Sequence, residues 1–146
     1  MINIHASAVA FGNKGVLIRG AVGSGKSELA LRLIDTAGFG RGAKPLRAIL
    51  VADDQVLLVR EGSAIIMRTP ETISGKMEIR GIGIIDLQHK PKAKLVLVID
   101  LKRQAEIERM PEAADQFTEI LGLNIACYSV DPATPFAPSI IRSLLS

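Results

Sequence analysis

GVLIRGAVGSGKSELALRLID, from Gly15 to Asp35, is the stretch that decides how this chain reads. Gly15-Val16-Leu17-Ile18-Arg19 is a short apolar run of strand type. Gly20-Ala21-Val22-Gly23-Ser24-Gly25-Lys26-Ser27 follows at once. Ser27 to Asp35 then carries apolar residues at helical spacing, with a breaker at Gly38. Strand, glycine loop and helix in that order are the context that G-x-x-x-x-G-K-S requires. Glycines let the backbone wrap an anion and turn its N–H groups inward. The helix start points its positive end at that anion. Lys26 would reach the outer phosphates, and the Ser27 hydroxyl is placed to ligate Mg²⁺. A chance match in a chain of 146 residues is well under about one in a hundred. The bland alternative is a glycine turn with no ligand.

Outward from this loop the patterns are mostly strands. Gly38 to Leu46 holds three glycines and a proline and reads as a loop. Strand patterns follow at Ala48 to Ala52, Gln55 to Arg60 and Ser63 to Arg68. Met77 to Arg80 and Ile82 to Ile85 form a further pair around Gly81. Lys94 to Ile99 is a continuous apolar run, as in a strand buried on both faces. Ala113 to Leu121 reads as a helix, Ile125 to Val130 as a strand and Ser139 to Leu145 as a closing helix. Strands outnumber helices and often succeed one another directly. The expectation is an α/β chain, residues 1–146 as one domain, with a mixed β-sheet core and flanking helices.

Composition narrows the classes. Hydrophobic residues make up 48% and charged residues 23%, which suits a packed globular chain. The longest dense apolar stretch, Leu95 to Leu101, is interrupted by Asp100 and falls short of the ~20 residues a spanning helix needs. No signal-peptide pattern opens the chain. Cys127 is the only cysteine, so no internal disulfide forms, and a buried strand position in a cytoplasmic protein is expected for it. Net charge is +3, yet aromatics are only 3%, so the aromatic platforms of a nucleic-acid binder are missing. Lys90-Pro91-Lys92-Ala93-Lys94 reads as a solvated loop. An anionic ligand accounts for the balance; neither nucleic acid nor membrane is expected as a partner.

Three further features bear on chemistry. Asp53-Asp54 ends an apolar strand, where one acid can stand near a metal and the other act as base for a hydroxyl; an Asp-Asp turn is the alternative. Glu78 and Arg80 alternate on a strand beside Gly81, a pattern that exposed strands also show. His5 and His89 are lone histidines, for which a structural or exposed role is the ordinary reading.

Together these pieces resemble the catalytic domain of HPr kinase/phosphorylase, which phosphorylates a serine of the phosphocarrier HPr. The resembling blocks are Ile4-His5-Ala6-Ser7-Ala8-Val9, Gly20 to Glu28, Leu50-Val51-Ala52-Asp53-Asp54-Gln55-Val56 and Met77 to Asp86. The resemblance implies the HPr kinase/PEP carboxykinase-like fold, with His5 on the first strand. It implies ATP and Mg²⁺ as cofactors and an HPr-type carrier of a phosphotransferase system as partner. It implies Asp54 as the base, with His5, Lys26 and Arg109 completing the catalytic set. Ser27, Glu78 and Asp53 would surround the metal. It also implies a homo-oligomer, a hexamer in the family.

The chain departs from the family as well. It looks like the short form that lacks an N-terminal domain. The Gly38 to Arg47 loop is long. Pro132 to Pro138 replaces the segment tied to dephosphorylation and subunit contacts, which bears on phosphorylase activity and on the hexamer. Two other readings remain at this point: a small-molecule kinase using the same site, and a nucleotide-binding regulator without catalysis.

Overall fold

The computed structural model describes every residue from Met1 to Ser146. In chain order its elements are β1 (Ile2–Ile4), β2 (Ser7–Phe11), β3 (Lys14–Arg19), α1 (Lys26–Asp35), β4 (Ile49–Ala52), β5 (Val56–Glu61), β6 (Ala64–Arg68), β7 (Lys76–Ile79), β8 (Gly83–Asp86), β9 (Lys92–Leu101), β10 (Phe117–Ile120), β11 (Leu123–Val130) and α2 (Ala137–Leu145). Short 3-10 turns lie at Glu71–Ile73, Gln104–Glu106 and Ala113–Gln116. No helix is long and apolar enough to cross a membrane.

β3 and β9 are the parallel spine, with Val16 opposite Leu97 and Arg19 opposite Asp100. β2 pairs antiparallel with the free edge of β3, and β4 antiparallel with β2. The other edge of β9 is shared between two branches. Lys92 to Lys94 take β6 antiparallel, and β5 and β1 continue that branch. Leu97 to Leu101 take β11 in parallel, and β10 folds back on β11. β7 and β8 form a separate antiparallel ribbon. The sheet is therefore mixed, as its run of uninterrupted strands predicts.

Both faces of the spine are buried along its centre, which is why Gly15 to Ile18 and Leu95 to Ile99 are all apolar. Val16, Ile18, Leu97 and Ile99 face α1 and α2 and pack with Leu29, Leu33 and Ile141. Leu17, Val98 and Leu95 face the curled β1–β5–β6 branch and pack with Leu58, Ile65 and Met67. Leu95 and Leu97 lie on opposite faces because the register against β3 shifts by one residue between Gly15 and Val16. The extra residue, Val96, is a bulge that reverses the side-chain phase of β9. A second shift, at Ala8/Val9 against β4, puts both Val51 and Ala52 on the curled face just before Asp53.

Three local expectations need correction. Ala113 to Leu121 is no helix: a 3-10 turn gives way to β10, and Leu121 and Gly122 form the hairpin to β11. Both turn residues have positive φ, 49° and 83°, as a two-residue hairpin matched to strand twist requires. Phe117, Thr118, Glu119 and Ile120 alternate in burial as a strand does, a period hidden by so short a run. The Lys90 to Lys94 segment is also more than a loop, since β9 begins at Lys92. Lys90 Nζ donates to the Gly12 carbonyl at 2.6 Å. His5 sits in the break between β1 and β2 rather than within a strand.

Arg142 of α2 is a cation sealed against the end of α1, 4% exposed. No carboxylate faces it. Its guanidinium donates to the carbonyls of Leu33 and Thr36 at 3.5 and 2.5 Å, where α1 ends. Both carbonyls lack an intrahelical donor at this helix C-terminus and carry its partial negative charge; the Ala48 N–H also donates to the Leu33 carbonyl at 3.0 Å.

Candidate active site

Strand direction alone gathers the site. β3 ends at Arg19, and the glycine loop starts there. β4 runs in the same direction as β3, since each is antiparallel to β2, so Asp53 follows β4 at the same edge. β2 runs the other way, so its start, with His5 and Ser7 beside it, lies at that edge too. Crevices beyond the carboxyl ends of strands are where open α/β sheets place their sites.

The loop from Gly20 to Gly25 leads straight into α1, whose N-cap is Gly25 with φ 101°. A side chain there would be strained. The first helical bond is Leu29 N–H to the Gly25 carbonyl at 3.0 Å. Lys26 is 6% exposed and its ammonium donates to the carbonyls of Gly20 and Ala21 at 3.0 and 2.9 Å. Ser24 Oγ is buried and has no hydrogen-bond partner. A Cβ on Gly20 would collide with that hydroxyl and lie 3.1 Å from Leu101 Cβ. The loop therefore holds an orphaned donor and a space kept clear by a glycine, which suits a phosphate.

Asp53 is 4% exposed and sits between two hydroxyls. Ser7 Oγ donates to its Oδ1 at 2.6 Å, and Ser27 Oγ lies 2.9 Å from both carboxylate oxygens. Burial holds the Asp53 carboxyl above the usual carboxylate range; the two serine hydrogen bonds only partly offset it. Asp54 has the opposite environment. Its side chain is 67% exposed and accepts from His5 Nε2 at 2.8 Å. Its backbone has φ 71°, an uncommon conformation for a residue with a side chain and one met at functional sites. The Ala6 N–H donates to its carbonyl at 3.3 Å, tying this turn to the start of β2.

His5, Ser7, Gly25, Lys26, Ser27, Asp53 and Asp54 line one cleft of about 450 Å³, together with Glu28, Glu78 and Arg80. Only Val22 and Ile79 are hydrophobic in it, so it is a site for polar, charged ligands. The β7–β8 ribbon brings Glu78 and Arg80 to the rim, while Met77 on its other face is buried against α1. Asp53, Asp54 and Glu78 share the cleft, but no three His, Cys, Asp or Glu side chains converge on one metal point.

Of the residues singled out in the sequence, His5, Lys26, Ser27, Asp53, Asp54 and Glu78 are brought together with Val22, Gly23 and Gly25. Arg109 is not. It lines a separate cavity beside Tyr128 and Ile140. Ser7 and Arg80 are cleft residues that sequence reasoning gave no role. For Ser7 the only signal was its place two residues after His5.

The family described as HPr Serine kinase C-terminal domain matches residues 1–137. HPr kinase/phosphorylase of Cupriavidus necator is 34% identical over 142 residues, which is 90% of this chain and 41% of that protein. The protein of the same name from Burkholderia cenocepacia is 36% identical over 129 residues, 82% of this chain and 37% of that protein. The chain thus spans about two fifths of the length of these curated relatives. Among solved structures, the Hpr(Ser) kinase/phosphatase from Coxiella burnetii superposes with a TM-score of 0.77 at 29% identity, covering 99% of this chain and 88% of that one.

Proposed function

The chain belongs to the HPr serine kinase C-terminal domain family, and on that premise we propose that it transfers the γ-phosphoryl group of ATP to a serine of an HPr-type phosphocarrier. The observation that carries this reading is the pairing of two unlike carboxylates beside one phosphate loop: Asp53 sealed on Ser27, Asp54 open and bonded to His5.

The residues divide the work. The loop N–H groups, Ser24 Oγ and Lys26 cradle the phosphates. Asp54, exposed to an incoming chain, takes the proton from the serine hydroxyl as that oxygen attacks phosphorus. His5 orients Asp54 and stabilises the turn that carries it. Base catalysis of this kind is worth about 10²–10⁴-fold. Ser27 and Asp53 are the donors for Mg²⁺, with Glu78 across the cleft. A site with one buried carboxylate and a hydroxyl suits Mg²⁺, which takes few protein ligands and fills its shell with water and phosphate oxygens. When bound, the metal neutralises charge on the phosphates. Orthophosphate in the same cradle would allow the reverse reaction, in which Asp54 acts as acid.

The proposed setting is the cytoplasm; an unpaired Cys127 suits a reducing compartment. Exposed Phe136, which caps α2, and Ile140 on that helix support self-association into a homo-oligomer.

The test is transfer of label from γ-labelled ATP to candidate carriers, with Mg²⁺ and with EDTA. Label on a carrier serine, absent with EDTA and absent for Asp54→Asn, is expected. Label on a metabolite alone would overturn the protein-kinase reading. ATP binding without any transfer would overturn the enzyme reading.

A further inference from the structure

Beneath the glycine loop, on the sheet face away from α1, lies a charged knot that the chemistry above does not use. β3 and β9 set Arg19 and Asp100 directly opposite each other. Arg19 Nε donates to Asp100 Oδ1 at 2.7 Å and Nη2 donates to Oδ2 at 3.0 Å. Both prongs of the guanidinium are engaged, which fixes direction as well as distance. Cys127 Sγ donates to Asp100 Oδ2 at 3.3 Å, and Arg19 Nη2 donates to Thr118 Oγ1 at 3.4 Å. Side chains from β3, β9, β10 and β11 thus meet at one point. The pair is shielded, with side-chain exposures of 32% and 27%.

The knot reaches the loop through the residue after each partner. Gly20 follows Arg19 and opens the loop. Leu101 follows Asp100, and its Cβ bounds the space that a Cβ on Gly20 would fill. Ser24 Oγ bounds the same space, and the Gly20 carbonyl accepts the Lys26 ammonium. A loop with glycines at three of its first six positions has little packing of its own to hold it. Its geometry must come from the strand end before it.

We propose that Arg19 and Asp100 form a positioning pair that fixes the Gly20 peptide, and through it the resting places of Lys26 Nζ and Ser24 Oγ. Neither residue touches nucleotide. The proposal rests on the loop being the phosphate site.

Two readouts separate its failure from that of the nucleotide reading. The first is amide hydrogen exchange of the Gly20–Gly25 segment in the ligand-free protein. The second is affinity for a fluorescent ATP analogue with Mg²⁺. Arg19→Gln and Asp100→Asn are each expected to speed exchange in that segment and to weaken nucleotide about tenfold, which is about 1.4 kcal/mol. Because the two act as a unit, the double variant is expected within about twofold of the weaker single. Arg19→Lys keeps charge but loses the fork, and should fall between. Val98→Ala on the same sheet face is the control for mere destabilisation: a lower melting point with loop exchange and affinity unmoved. Singles that leave loop exchange and affinity at parental values overturn the proposal, and so does a double variant whose losses multiply. A parent protein that binds no ATP overturns the nucleotide reading, while loop exchange still decides the pair.

Discussion

Asp53 and Asp100 are the same side chain at the ends of two strands running the same way, and their surroundings drive them apart. Asp53 is sealed among hydroxyls with no cation on it, and burial pushes its carboxyl up. Burial also opposes ionisation of Asp100, but there Arg19 outweighs it and the carboxyl sits below its ordinary value. One carboxylate is completed within the fold. The other keeps a debt of charge that a divalent cation can settle. The proposed function, in which Asp53 helps to bind and release a metal, calls for the second kind; a strand end that must not move calls for the first.

Four experiments break or sharpen that contrast. The largest effect belongs to the neighbour of Asp53. Asp54→Asn should cut phosphoryl transfer by about 10²–10⁴-fold while nucleotide affinity holds, measured by quench-flow with a carrier and by titration without it. Affinity that collapses together with rate would refute the division between the two adjacent acids. Next comes Asp53→Asn. Its carboxamide oxygen can still accept from Ser7 and Ser27, while the desolvated charge is gone. The ligand-free variant should melt no lower than the parent, yet the Mg²⁺-dependent gain in nucleotide affinity should fall at least about tenfold. A variant that melts lower and keeps Mg²⁺ dependence would invert the comparison.

Asp100→Asn should cost about 1–2 kcal/mol, discounted for partial exposure, seen as a lower midpoint in urea. The pH dependence has a definite sign. The folded Asp100 ionises below its unfolded value of 3.8, so its contribution is complete above that value and is lost as pH falls through the folded one. As the pH falls below about 5 the parent should lose more stability than the variant. The smallest effect is at Lys76–Asp86, an open pair at 3.0 Å on the β7–β8 ribbon. Lys76→Ala should move stability by no more than about 0.5 kcal/mol, a baseline against which Asp100 can be judged.

Much of this was legible in the chain itself. The Gly15 to Asp35 stretch states its own structure because strand, loop and helix are adjacent and each uses local signals. The mixed sheet followed from strands that succeed one another without helices. What stayed hidden is pairing across distance. Nothing near Asp53 announces Ser7, and nothing near Arg19 announces Asp100; each contact exists only once β2, β3, β4 and β9 are laid side by side. The helix expected at Ala113 to Leu121 failed for a different reason. Four alternating residues and a Leu-Gly turn are too short to display a period of two. Arg109 was placed by likeness alone, without a motif of its own, and lies in a different cavity from the cleft.

Arg142 carries one more consequence. Its guanidinium closes the far end of the helix whose near end holds Lys26 and Ser27. α1 is a rigid rod, so what happens at its C-terminus is felt at its start. Tension applied to α2, whether by a fused tag or by a surface it is tethered to, therefore reaches α1 through this side chain as well as through the packing of Ile141 on Leu29 and Leu33, and so the proposed phosphate cradle. In a pulling experiment anchored at Ser146, nucleotide held as proposed should be released before the sheet gives way, and Arg142→Leu should raise the force needed for that release.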